Sequence, residues 1–400
     1  MKNLFFILLS TIIYQASAQE NGMGSYAVSN PSFISYQKSL QRPSDAMKRK
    51  EDVMRKEFES KGLKWPAKYI YIRSFKYDSQ LEVWAKNERN EKYKLFKTYK
   101  VCALAGTMGP KRLEGDYQVP EGFYYINEFN ANSAYHLSLG LNYPNTSDKI
   151  LSDALKPGGE IFIHGSCVTV GCIPLTDPMI EELYIISAHA KDQGQDFIPV
   201  HIFPVRYNVS KSVEYLGRIL NEDPVLEKFS SNLQDAFNYF EKHKQLPVIL
   251  ITTKGDYLVN DAPERTWLAN EEEPVKRKII PRRTRNITFL PASVIQWPTY
   301  PGGGQAFLKY LDKLGKDMRD YLPKEVRKVY IQVEFIIDKD GIPVNFKIIK
   351  GGVNEDFDEE LITQLEKTMM NWHPAQLQDR AVAKKMVQTI TIEIPIPMEF

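Results

Sequence analysis

Four hundred residues exceed what one hydrophobic core usually supports, so two or three domains are expected. An apolar share of 43% is ordinary for a globular chain, and a formal net charge of +2 provides no field that would gather nucleic acid. The few aromatic–basic neighbours match no RNA-binding pattern, so nucleic acid is not an expected partner.

The N-terminus has the order of a secretory signal peptide over residues 1–18. Lys2 is the positive end, Leu4 to Tyr14 the apolar centre, and Ala16-Ser17-Ala18 the small-residue cleavage site. The apolar centre is too short for a membrane anchor, and no later stretch reaches the roughly 20 apolar residues of a spanning helix. The mature chain is therefore expected to be exported, with no transmembrane segment after cleavage. Export gives the three cysteines meaning, because an oxidising compartment favours disulfides. Either Cys102 pairs with Cys167, or all three stay free; a Cys167–Cys172 bond would silence Cys172.

Residues 19–66 read as a lead-in, loose to about residue 43 and then helical from Ser44, a capping residue, to Gly62. The charges of that helix read as a solvated face. From Lys68 the period changes to strands: Tyr69–Arg73, Leu81–Trp84 and Tyr93–Leu104. Gly106–Gly122 is a long loop of the kind that carries function. Strands follow at Phe123–Ile126, Tyr135–Leu139 and Ile161–Ile163, then a helix over Asp177–Asp192 and a strand over Pro199–Val205. A helix over Ser230–Lys244 and a strand over Pro247–Thr252 complete a module at 67–260, with its core at 67–207. Charge runs stiffened by Pro274 and Pro281 mark a linker at 261–293. Residues 294–400 read as a second, small α+β module. It has helices at Gln305–Tyr321 and Asp356–Met370, strands at Val329–Asp338, Val344–Lys350 and Val387–Ile394, and a hairpin signal at Asp340-Gly341. The fold class is β-rich α+β.

The chemistry concentrates between Glu160 and Glu182. His164 ends a strand, Cys172 lies eight positions on, and Gly165 and Gly171 stand beside them. A thiolate with a nearby imidazole attacks carbonyls, so this pair predicts a nucleophile and its general base. The N–H groups of Gly171 and Cys172 are the expected oxyanion donors. A zinc site from His164, Cys167 and Cys172 is the rival use, but paired CxxC and HExxH patterns are absent. No cofactor and no metal are expected. His136 either lines the groove or sits satisfied in a core, and His189, His201, His243 and His373 read as structural or surface residues.

Residues 67–207 resemble the YkuD-type L,D-transpeptidase catalytic domain, in its YafK-like branch. The resemblance runs through MGPKRLEGDYQVPEGFYYI, SAYHLSLGLNYPN, HGSCVTVGC and HIFPVRYN, with His164-Gly165 and Thr169-Val170-Gly171-Cys172 as its centre. It implies a β-sandwich catalytic domain and a cysteine enzyme of the periplasm, associated with the cell wall. It also implies a Cys172 acyl-enzyme on peptidoglycan stem peptides, with His164 as base. Thr169 and Gly165 join Gly171 as supporting residues, and Tyr135, His136, Ser166 and Arg206 as substrate contacts. Val170 and Pro174 depart from the broader family, which leaves transpeptidation or hydrolysis open; an inactive wall-binding protein is the further alternative. Residues 294–396 resemble the TonB C-terminal domain through WPTYPGGGQAFLKYL, VYIQVEFIIDKDGIPVNFKIIKGG and NWHPA. That resemblance implies docking to an outer-membrane or other envelope protein.

Overall fold

The computed structural model describes residues 32–220, 223–260, 283–291, 294–324, 326–378 and 380–395. The expected signal peptide and most of the expected linker lie outside these residues.

The lead-in is more ordered than its composition suggests. α1 (Phe33–Ser39) starts on the Ser32 hydroxyl, which accepts from the Ser35 N–H, and α2 (Gln41–Ser60) follows at once. α2 therefore starts before Ser44, with Pro43 in its first turn, where a missing N–H costs nothing. Pro43, Ala46, Met47, Met54 and Phe58 recur at three- and four-residue spacing and are buried. This corrects the expectation of a merely solvated helix: one face of α2 belongs to the main core.

β1 (Tyr69–Phe75), β2 (Gln80–Lys86) and β3 (Lys94–Lys100) form an antiparallel meander. After the 106–121 loop come β4 (Gly122–Asn130), β5 (Ser138–Leu141), the short α3 (Thr146–Leu151), β6 (Phe162–His164) and β7 (Ile173–Pro174). α4 (Asp177–Asp192) then leads to β8 (Ile198–Phe203), which inserts between β1 and β4. All eight strands make one sheet, in the order β3-β2-β1-β8-β4-β5-β6-β7. The sheet curls until its two ends meet: the Cys102 N–H, just past β3, donates to the Pro174 carbonyl of β7 at 2.9 Å. Leu183, Tyr184, Ile185 and Ile186 bury α4 on nearly every side, and with α2 it fills the core of the curled sheet.

α5 (Ser210–Leu220) and α6 (Pro224–His243) pack outside this sheet, where Leu233, Phe237 and Tyr257 join Phe75 and Phe203. β9 (Val248–Thr252) and β10 (Tyr257–Asn260) form a hairpin. Beyond it lie α7 (Gly303–Asp317), β11 (Val326–Ile337), β12 (Pro343–Lys350), α8 (Glu355–Thr368), the β13 (Ala375–Leu377) and β14 (Arg380–Val382) pair, and β15 (Lys384–Glu393). β11 is the centre of a second, five-stranded sheet: β15 lines one side, while β12 and β9 share the other. Leu250 of β9 is buried among α7, α8 and β11 side chains. The hairpin therefore belongs to both halves: its backbone extends the second sheet, and its Tyr257 hydroxyl accepts from Asn145 Nδ2 at 2.8 Å.

Candidate active site

β6 carries His164 to the end of a strand, and its parallel register with β7 sets His164 opposite Pro174. Cys172 precedes Pro174 by two residues, on the bend that leads into β7. The His164 ring is buried, and its Nδ1 lies 2.6 Å from the Gly165 carbonyl. A carbonyl only accepts, so Nδ1 carries the proton, and in the neutral ring Nε2 is left as a bare acceptor. Burial pushes the imidazole below its usual pKa, with the Gly165 carbonyl working in the opposite direction. The Tyr135 ring lies over this imidazole, centroids 4.7 Å apart.

The nucleophile candidate sits on a turn held by one hydroxyl. Thr169 Oγ1 accepts from the Gly171 N–H at 3.1 Å and the Cys172 N–H at 2.8 Å, and lies 2.8 Å from the Cys172 carbonyl, to which it donates. Both expected oxyanion donors are therefore engaged by Thr169, and an incoming oxyanion has to take them over. Gly171 has φ +142°, and a Cβ there would stand 3.3 Å from the Gln118 carbonyl, so the turn and the long loop touch because this residue is glycine. Cys172 Sγ points to the Glu160 carbonyl at 3.7 Å, and burial pushes the thiol above its ordinary pKa. Among the described residues, no hydrogen bond joins Cys172 Sγ to His164. The two shifts act together: burial favours the uncharged thiol and the uncharged imidazole in the resting site.

The meeting of the sheet ends builds the surroundings. Cys102 is bonded to Cys167, so the loop between His164 and Cys172 is tied to the end of β3, and Cys172 is the free cysteine. The bond also removes Cys167 from the rival zinc set. A narrow cleft at Cys172 is lined by Lys76, Val101, Ala103, Leu104 and Val119. Lys76 is almost wholly buried, pairs with Glu121 at 3.0 Å, and donates to the carbonyls of Gly109 and Val119 at 3.1 and 2.9 Å. It thus holds both ends of the 106–121 loop. Within the loop, Asp116 accepts from the N–H groups of Arg112, Leu113 and Gln118.

The other expected site residues divide. Tyr135 is at the site. His136 is not on a strand, as β5 begins only at Ser138; it sits at φ +70°, with Nε2 2.9 Å from Glu181 Oε1. Ser166 has φ +68°, and its N–H donates to Asp177 Oδ1 at 2.8 Å. The same carboxylate oxygen would stand 2.5 Å from a Cβ at Gly165, which explains glycine after the histidine. Arg206 does not reach the site: its guanidinium bonds Gln80 and Glu82 and stacks on Phe75. Val170 is exposed beside the cysteine turn. Sequence reasoning missed Lys76, Glu121 and Asp177. A lysine closing the apolar run of β1 was the legible signal for the first, and an Asp-Pro helix start for the last.

Residues 69–202 match the YkuD L,D-transpeptidase catalytic domain. The putative L,D-transpeptidase YafK of Escherichia coli K12 is 29% identical over 193 residues, which are 48% of this chain and 74% of that protein. Among solved structures, the helical cell shape determining protein Pgp2 of Campylobacter jejuni is 20% identical with a TM-score of 0.28, over 45% of this chain and 72% of that one. For a mutant form of the same protein the chain spans 60% of its length, also at a TM-score of 0.28. Bd1075 of Bdellovibrio bacteriovorus is 21% identical with a TM-score of 0.26, over 44% of this chain and 70% of that one.

Proposed function

On the premise that this chain carries a YkuD L,D-transpeptidase catalytic domain, we propose that it is an exported cysteine acyltransferase of peptidoglycan stem peptides. The observation that carries this reading is one free, part-buried thiol at the entry to the strand that pairs with the strand of His164, whose Nδ1 is tied to Gly165, leaving Nε2 as the acceptor. The proton on Cys172 Sγ passes to His164 Nε2 as sulfur attacks the substrate carbonyl. The oxyanion forms beside the Gly171 and Cys172 N–H groups, displacing the Thr169 hydroxyl from them. Collapse breaks the C–N bond, the imidazolium returns its proton to the leaving amine, and an acyl-Cys172 thioester remains. An amine then attacks the thioester for transpeptidation, or water for hydrolysis. Because the resting pair is neutral, proton transfer accompanies attack and is not completed beforehand. The C-terminal sheet is proposed as the module that docks the enzyme to an envelope protein.

The test is mass spectrometry. A carbapenem should add its mass at Cys172, and soluble muropeptides should be converted to crosslinked or trimmed products. Cys172→Ala should abolish both while the circular dichroism spectrum is unchanged; retained conversion in that variant would overturn the reading.

A further inference from the structure

The first helix pair lies outside the matched residues 69–202, yet it reaches the neighbourhood of His164. One nitrogen of the Arg42 guanidinium, on α2, donates to the Ser133 carbonyl at 2.5 Å and the His136 carbonyl at 2.8 Å. Seven residues on, and so on the same helix face, Arg49 bonds Glu181 Oε1 at 2.5 Å. That oxygen also meets His136 Nε2 at 2.9 Å. The turn between β4 and β5 is thus gripped at its backbone by Arg42 and through His136 by Arg49 and Glu181.

Tyr135 lies between the two carbonyls that Arg42 holds. Its own carbonyl accepts the Gly165 N–H at 3.0 Å, which ties the turn to the residue after His164. The next residue, His136, is left-handed at φ +70°, a conformation that a residue with a side chain keeps when its surroundings impose it. Tyr135 is 46% exposed, so the place of its ring over the imidazole depends on the backbone beneath it.

We propose that Arg42 is a positioning residue for the reaction, clamping the turn that lays Tyr135 over His164. The inference rests on the base role proposed above for His164. Arg42 touches no reacting atom; it acts through the carbonyls of the turn. Release of the turn lets the ring swing away, admits water to His164 and loosens the end of β6. The titratable groups on the elements around the imidazole include Cys172, Tyr135, His136, Glu160 and, on α4, Asp177, Glu181 and Glu182.

The test compares the full chain with Arg42→Ala, Arg42→Lys and Tyr135→Ala. NMR titration of the His164 ring protons needs no substrate. Its pKa should rise toward the ordinary histidine value in Arg42→Ala and Tyr135→Ala, because burial is what holds it down. On soluble muropeptide, Arg42→Ala should lower kcat about tenfold with KM nearly unchanged, the pattern of a lost alignment. Arg42→Lys should restore part of both, because it keeps a cationic donor on a stem of different length and shape. An unchanged His164 titration and an unchanged kcat in Arg42→Ala would overturn the inference. So would a loss confined to melting temperature, which is what a merely structural arginine would produce. Failure of wild-type turnover would strike the functional reading instead, and the substrate-free titration tells the two apart.

Discussion

The two sheets solve the edge problem in different ways. The first curls until its ends meet, at the Cys102–Pro174 hydrogen bond and the Cys102–Cys167 bond. The second is completed beside β11 by a hairpin that also packs on the first. Closure of the first sheet brings residues from distant segments to one cleft: Lys76 from the end of β1, Val101 after β3, Val119 from the loop and Cys172 before β7. In the second sheet the long β11 buries alternate side chains against α7 and α8, and the result is a packed core. A closed seam gathers side chains from distant segments, whereas a sheet with a helix layer concentrates packing.

The contrast can be tested by perturbing each part. The largest effect should come from the seam's chemistry: His164→Ala should slow acylation by about 10²–10⁴-fold, measured by stopped-flow with a chromogenic carbapenem. On the proposed mechanism the neutral imidazole is the active form in the wild type. Because burial holds its pKa below the usual value, acylation should persist to lower pH than an ordinary histidine allows and fall only below that depressed pKa. A midpoint at or above the ordinary value would contradict the buried-base geometry.

Next in size is the ion pair that holds the loop. Glu121→Ala strips Lys76 of its counter-charge in a dry site, a change that typically costs about 3–5 kcal/mol, read by urea denaturation. The cleft wall built from Val119 should loosen with it. Reduction of the Cys102–Cys167 bond, or Cys102→Ser, opens a 65-residue link and should cost about 2–4 kcal/mol. Differential scanning calorimetry with and without reductant checks this, and activity should fall beyond the stability loss because Cys167 shares the loop of Cys172. The smallest effect tests the hairpin common to both sheets. Tyr257→Phe removes one of the two acceptors of the Asn145 amide and should cost about 1–2 kcal/mol in chemical denaturation, with kcat unchanged. A loss of kcat there would show that the second sheet influences the first.

Much of this was legible in local sequence. The strand at Tyr69–Arg73, the helix over Asp177–Asp192 and the hairpin at Asp340-Gly341 are short-range patterns, and the structure has each element where the pattern places it. Local patterns failed where a tertiary contact decides. The stretch before Ser44 reads as loose, but α1 forms because the core offers it a surface, with the Ile34 N–H donating to Asp192. His136 alternates with apolar neighbours like a strand residue, yet Glu181 and Arg42 hold it in a left-handed turn.

Taken alone, the sequence determined the chemistry on offer: a cysteine and a histidine, each beside a glycine, on a strand–loop–strand of eight-residue spacing. Periodicity carries such information because each side chain's face follows from its neighbours a few bonds away. Only the tertiary structure decided which cysteine stays free, what occupies the Gly171 and Cys172 N–H groups, and which helix reaches the turn that carries Tyr135. Those outcomes depend on groups far apart in the chain, such as Cys102 and Cys167 or Arg42 and Ser133, and their meeting is a property of the closed sheet and its core.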